Sequence, residues 1–275
     1  MVSSDDLEDA ILLALSSGTP CKTPKDLFSM VRCYYPDVGF PKIRYALKSL
    51  LEKGFITYSH KHAASQLELN YKRAFTICDR LMIWPFENIK EKSFGGAILH
   101  LESGAAFGDG NHPTTRLSLK ALDFALQSIK DQSVLCEMAA LDIGTGSGVL
   151  AIAAVLLGVG RAWGLDTDPA ACHEAMHNVL RNSLEAKVHI SNQPLEHFSN
   201  QTFGLILANL RPPTLRKLFP LMRRVTEPRG IWVLSGFRPE EKNSLFANLH
   251  ESEFLFWMGE EHNWAAAAVS VGSGV

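Results

Sequence analysis

The sequence predicts a doubly wound α/β domain preceded by a small helical module that closes with a β-ribbon. Three observations lead there. Strand-like and helical segments alternate from residue 139 to residue 271, the pattern of a parallel sheet covered by helices on both faces. A loop carrying Gly144, Gly146 and Gly148 joins the first of these strands to an apolar helix. The first 60 residues instead hold three helical patterns followed by one alternating run.

Residues 5–17 place Leu7, Ile11, Leu12 and Leu15 at helical spacing, with Asp5 and Asp6 in the first turn, where carboxylates complement the helix dipole. A second helix starts with Thr23 as N-cap and Pro24 at its first position, where a missing N–H costs nothing. The third, over 40–53, gathers Ile43, Ala46, Leu47, Leu50 and Leu51 on one face and ends at Gly54. Residues 55–60 alternate as a short strand, and the polar residues 61–70 read as the linker. Three helices and a ribbon of this length resemble a winged helix-turn-helix module over 1–66, with the second domain over 67–275. Lys42, Arg44, Lys48 and Lys53 on the third helix can meet phosphates. Yet residues 1–70 hold eight Lys/Arg against eight Asp/Glu. A solvated helix face, or a module for dimerisation or substrate holding, is therefore expected over nucleic-acid binding.

Extended runs near 72–84 and 96–102 precede the glycine-rich segment GAAFGDGNHPTT, residues 104–115, which leads into helical residues 114–130. Strands over 139–143, 161–166, 187–191, 203–209 and 230–235 then alternate with helices over 148–158, 169–183, 212–225 and 238–250. Strands 253–258 and 264–271 complete the sheet. Ligands of such sheets bind at the carboxyl ends of the strands, where the strand order reverses. Residues 144–148, Asp166 and Asn209 occupy such ends.

Composition narrows the class. At 275 residues, 46% hydrophobic and 20% charged, the chain has enough apolar content for a sizeable core. A net charge of −2 gives no broad attraction to nucleic acid or an anionic membrane. The longest apolar stretch, VLAIAAVLLGVG, is too short to span a bilayer. The opening Ser-Ser-Asp-Asp lacks the basic region of a secretory leader. Cys21, Cys33, Cys78, Cys136 and Cys172 form no C-x-x-C pair; reduced thiols and a cytoplasmic location are expected.

The glycine loop points to a nucleoside cofactor. Its spacing is G-x-G-x-G, with Val149 where the dinucleotide fingerprint needs a third small residue, and Asp142 stands two residues before Gly144. Asp166, 22 positions past Gly144, is placed to take the two ribose hydroxyls. S-adenosyl-L-methionine carries no phosphate, so its loop need not cradle one. Its ammonium group suits an acid such as Asp142, while Thr114, Thr115 and the first-turn N–H groups suit its carboxylate. His112 can serve as a base near neutral pH or as a structural hydrogen-bond partner. In LILANLRPP, the Asn209 carbonyl can accept a hydrogen bond from an amine and aim its lone pair at a methyl group. A plain βα turn, a helix cap and an Asx turn would produce the same residue types. The segment HEAMH, residues 173–177, matches H-E-x-x-H, but its helix starts right after the ribose acid and should only cover the sheet through Ala170, Ala171, Ala175, Val179 and Leu180. No metal is expected.

Together AFGDGNHPTT, LDIGTGSGVLAIAA, GLDTDP with Asn178 and Asn182 downstream, and LILANL resemble the ribosomal-protein methyltransferase family called PrmA. RGIWVLSGF and HNWAAAAV resemble its closing strands, and the likeness covers roughly residues 95–270. It implies a Rossmann-like, seven-stranded methyltransferase sheet and trimethylation of amino groups on a large-subunit stalk protein with S-adenosylmethionine. It also implies that Phe107, Thr114, Thr115, Gly144, Gly146 and Asp166 bind the cofactor, that Asn209 sits beside the reacting amine, and that Trp264 lines the pocket. Asp109 stands where the family usually has Thr. The first 60 residues resemble a winged helix, where the family has a mixed α/β module that grips the ribosomal protein. The expectation is thus an N-methyltransferase acting on a protein, a ribosomal protein being one candidate. A small-molecule methyltransferase dimerised through its first domain and a non-catalytic cofactor-binding protein remain the alternatives.

Overall fold

The computed structural model describes residues 3–16, 23–61, 64–70, 74–85, 94–102, 104–110, 112–247 and 249–272. The chain divides into two units, residues 1–73 and 74–275.

The first unit holds α1 (Ser4–Ser16), α2 (Pro24–Tyr34), α3 (Phe40–Glu52) and an antiparallel pair, β1 (Ile56–Lys61) and β2 (Ala64–Leu69). Thr23 caps α2 as expected, in a reciprocal box with Asp26. Leu7, Ile11, Leu27, Val31, Ile43, Ala46, Leu50 and Ile56 form its core. The linker expected over 61–70 is instead largely strand, and a boundary at 66/67 falls inside β2. Leu67 and Leu69 alternate with Gln66 and Glu68, so Leu67 turns into the core while its neighbours supply polarity. Lys53 pairs with Glu8 at 2.7 Å and Lys48 with Glu52 at 3.6 Å, so two of the four cations singled out on this helix face carboxylates.

The second unit starts with β3 (Phe75–Cys78), β4 (Leu81–Pro85) and β5 (Ala97–Leu101), a separate three-stranded sheet in the order β3-β4-β5. The single extended run expected to 84 breaks at Asp79-Arg80, a turn. Then come α4 (Pro113–Ser128), α5 (Gln132–Glu137), β6 (Ala139–Ile143), α6 (Val149–Leu156), β7 (Arg161–Leu165), α7 (Pro169–Arg181), β8 (Val188–Ser191) and β9 (Phe203–Asn209). After them come α8 (Pro212–Val225), β10 (Thr226–Phe237), α9 (Lys242–Phe246), β11 (Glu253–Glu261) and β12 (Trp264–Val271). The helix expected over 238–250 shrinks to α9 behind a 3-10 turn at Pro239–Glu241.

The main sheet has seven strands in the order β11-β12-β10-β9-β6-β7-β8. Pairing is parallel from β10 through β8, while β12 runs antiparallel to both β10 and β11. The chain leaves β6 toward β7 and β8, then returns to β9 on the other side, so the order reverses between β6 and β9. Alternation assigns the faces. Ala140, Leu205 and Leu207 pack with α4 and α6, while Leu141, Ile143, Ile206 and Ala208 pack with α8. No described helix is long and apolar enough to cross a membrane.

Candidate functional site

The strands β7, β6 and β9 are neighbours, with Ile143 opposite both Leu165 and Ala208. The residues that follow them therefore reach one rim together. Gly144 N and Thr145 N both donate to the Leu165 carbonyl at 2.8 Å, turning the chain over the end of β7. Gly146 N donates to Asp166 Oδ2 at 2.9 Å, and Asp168 N to Oδ1 at 3.0 Å. Each carboxylate oxygen is thus fixed by one backbone donor and keeps acceptor capacity for another.

Two glycines are obligatory here. Gly144 has φ +73° and Gly146 φ +54°, the left-handed region that side chains resist. A Cβ on Gly146 would stand 2.2 Å from the Phe107 carbonyl oxygen, and one on Gly144 2.7 Å from Leu210. Gly148 serves as the N-cap of α6.

The segment 104–110 lies against this loop. Phe107 O accepts from Ser147 N and Gly108 O from Ser147 Oγ, both at 2.9 Å. Arg116 Nη1 donates to Gly110 O at 3.1 Å, and the guanidinium is itself paired with Glu261 inside the protein. Phe107 is 53% exposed, its ring 5.1 Å from that of His112.

Two buried oxygens here have no partner among the described residues: Asp142 Oδ1 and Thr115 Oγ1. Asp142 Oδ2 accepts from Thr145 Oγ1 at 2.6 Å and from Ala151 N at 3.3 Å. Burial pushes its carboxyl up to about 7, against the pull of those two bonds. The acid lies beneath the glycine turn, so it meets a ligand only through that turn. Thr114 and Thr115 are both buried. The Thr114 hydroxyl is 2.8 Å from His112 Nδ1, which leaves the Thr115 hydroxyl as the uncommitted one.

His112 is the N-cap of α4, its Nδ1 facing Thr114 N at 3.3 Å. Of its two expected roles, this geometry supplies the structural one. Burial, then the charges of Arg116 and Arg238, lower its pKa below the usual 6.5, so the neutral ring is favoured. Between that lowered value and 6.5, the unfolded chain takes up a proton that the folded ring resists; stability is present above this window and lost as pH falls through it. His112→Asn, which keeps a capping acceptor, is expected to flatten this fall. Paired thermal melts of wild type and variant from pH 7.5 to 5 check it; parallel curves would contradict it.

Asn209 ends β9, half-buried, and its side chain makes no hydrogen bond to another described residue. Beyond it, Trp264 sits 5.1 Å from the His112 ring, with the Arg238 guanidinium 3.8 Å above its face. His173 and His177 are exposed with rings 4.5 Å apart, but Glu174 accepts from Ala106 N at 2.9 Å. No group of three or more potential metal ligands occurs among the described residues. The covering face of α7 also differs from expectation. Ala171, Cys172, Ala175, Asn178 and Val179 are buried, whereas Ala170 is exposed and Leu180 is 59% exposed. Sequence reasoning missed the anchors Glu174, Arg116 and Glu261; polar residues four apart on a sheet-covering helix were the available signal for the first.

A seven-stranded, doubly wound sheet with a glycine loop, an acid after the second strand and an Asn after the fourth is the Rossmann-like methyltransferase fold. A family model described as "Ribosomal protein L11 methyltransferase (PrmA)" matches residues 61–270, and the chain belongs to that family. A relative named "Ribosomal protein L11 methyltransferase" from Pelobacter propionicus is 37% identical over 179 residues, 65% of this chain and 56% of the relative. Another of that name from Halalkalibacterium halodurans is 30% identical over 228 residues, 83% of this chain and 67% of the relative. A crystal structure of ribosomal protein L11 methylase from Lactobacillus delbrueckii subsp. bulgaricus aligns at TM-score 0.63 and 24% identity, covering 73% of this chain and 100% of that one; that likeness is one of fold. The chain spans about half the length of the curated relatives it matches.

Proposed function

We propose that the protein is an S-adenosylmethionine-dependent methyltransferase that modifies an amino group of a protein, with a ribosomal protein as the favoured substrate because the relatives' names point there. The observation that carries this reading is the Asp166 carboxylate, locked by Gly146 N and Asp168 N beside the glycine loop at the strand-order reversal. The unpartnered oxygens fit the same cofactor. Thr115 Oγ1, at the start of a 16-residue helix, suits its carboxylate, and Asp142 acts on its ammonium through the glycine turn above it, the cofactor's charge favouring the ionised acid. Asp166 takes the ribose hydroxyls, Gly144 and Gly146 let the backbone come close, and Phe107 and Gly148 belong to the same wall.

The cofactor supplies an electrophilic methyl group on a sulfonium that is already a good leaving group. What remains for the chain is position and nucleophile state. Asn209 Oδ1 accepts an N–H from the incoming amine and aims its lone pair. Asn offers no proton-accepting base, so the amine gives its proton to bulk water before attack, at a cost of about 4.6 kcal/mol for an ordinary lysine at pH 7. The neutral His112 ring adds no further positive charge beside Arg238. By this reading the enzyme works in the cytoplasm.

Incubation with labelled cofactor and ribosomal proteins, followed by mass spectrometry of the labelled product, tests the reaction. Asn209→Ala is expected to cut kcat by about 100-fold, the scale of losing one positioned polar contact, with cofactor affinity nearly unchanged. Label found only in small metabolites would favour the small-molecule alternative. Cofactor binding with no transfer by wild type, on any acceptor, would favour the non-catalytic one.

A further inference from the structure

Helix α7 starts three residues past Asp166 and carries polar side chains where a covering helix needs none. Glu174, Asn178 and the C-capping Asn182 recur every four residues, so they stack along one face. Each bonds the backbone of the segment running from β5 toward the 104–110 loop. Asn182 Oδ1 accepts from His100 N at 2.9 Å, and its Nδ2 donates to His100 O at 2.7 Å. Asn178 is fully buried. Its Oδ1 accepts from Glu102 N at 3.0 Å, and its Nδ2 donates to Ser147 O at 2.9 Å. Glu174 Oε2 accepts from Ala106 N at 2.9 Å.

The contact with Glu174 is close by construction. A Cβ on Gly104 would lie 2.1 Å from its Oε2, so any larger residue there would push the Glu174 carboxylate aside. Its other oxygen, Oε1, is buried with no partner among the described residues, a desolvation cost that a sheet-covering alanine would avoid. Ser147 closes the circuit: held by Asn178 through its carbonyl, it donates to Phe107 O and Gly108 O through its N–H and hydroxyl. The helix that follows the ribose acid therefore also grips both the glycine loop and the loop bearing Phe107.

We infer that Glu174 and Asn178 are positioning residues, through which α7 holds the 104–110 loop closed on the glycine loop and sets how tightly the cofactor is retained. This rests on reading the cleft as the cofactor site. Neither side chain touches cofactor or acceptor; both act through the backbone they hold.

The test uses the full chain with Glu174→Ala, Glu174→Gln and Asn178→Ala. Hydrogen exchange without cofactor reads the ladder by itself. Glu174→Ala is expected to speed exchange at Ala106 by about 10-fold, the loss of one hydrogen bond, while the β6 and β9 amides keep wild-type protection. Asn178→Ala should do the same at Glu102. Calorimetric titration with S-adenosylhomocysteine should then show affinity about 10-fold weaker in Glu174→Ala. In turnover, the KM for cofactor should rise with kcat at saturation unchanged. Glu174→Gln, whose side-chain oxygen still accepts from Ala106 N, should return affinity to within about threefold of wild type. Unchanged exchange at Ala106, wild-type affinity in Glu174→Ala, or a Gln variant as weak as the Ala variant would each overturn the inference. A wild-type chain that binds no S-adenosylhomocysteine would instead sink the methyltransferase reading, and the exchange arm would still judge the ladder.

Discussion

Asp166→Ala is expected to weaken S-adenosylmethionine binding by about 100-fold or more, the value of two charge-assisted hydrogen bonds to ribose hydroxyls. The side chain has two jobs at one rim. It is the acceptor proposed for the ribose, and it already takes Gly146 N and Asp168 N. Removing it deletes the ligand contacts and also releases the glycine turn whose close approach the cofactor needs. Asp166→Asn separates the effects. Its amide oxygen can still accept one backbone bond, but the charge and one acceptor are lost, so affinity should fall to an intermediate value. Stability should change little, because Asp166 is only partly buried and α7 keeps its own cap at Asp168. Calorimetry paired with circular-dichroism melts reads both quantities. A variant that binds as wild type does would remove Asp166 from the site.

The second large effect concerns stability. Arg116 and Glu261 are joined inside the protein, their side chains 6% and 4% exposed, and Lys120 approaches the same carboxylate at 3.4 Å. Glu261→Gln takes this carboxylate's charge away from a buried guanidinium, and breaking such a pair from one side costs about 3–5 kcal/mol. For a unit of this size that is a fall of about 10 °C in Tm. Replacing both partners with apolar residues, Arg116→Met with Glu261→Leu, should recover much of the loss, because neither charge then needs solvation. Differential scanning calorimetry should place the change in the transition of the second unit alone. Since Arg116 also holds the Gly110 carbonyl, the single variant should loosen the loop and weaken cofactor binding too. A Tm within about 2 °C of wild type for Glu261→Gln would refute the argument.

These anchors explain what the sequence disclosed and what it withheld. The alternating elements from β6 to β10 were legible because each is announced locally, by apolar period, by a proline at N1 as in α7 and α8, or by glycine between strand and helix. The glycine loop, Asp166 and Asn209 were legible for the same reason: each follows directly from a strand end. Elements without such signals escaped. The six residues of α5 are too few to show a period, and β2 is polar on one side, so it passed for linker. The antiparallel direction of β12 is not written in its run of buried alanines, which suits either direction. Sites closed by distant partners were least visible. Glu261 lies 145 positions from Arg116, and Glu174 lies 68 from Ala106. Asp142 shows the same limit, since the spacing marked it as an acid near the ligand but not as one buried under the turn.

The central claim is that the rim formed by the ends of β7, β6 and β9 takes S-adenosylmethionine. Backbone NMR of the labelled chain, titrated with that molecule, tests it most directly. Saturable shifts confined to the amides of Gly144, Gly146, Phe107, Thr115, Asp166 and their neighbours, with one molecule bound per chain, are the predicted result. No shifts at millimolar ligand, or shifts that leave the glycine loop and Asp166 untouched, would contradict it.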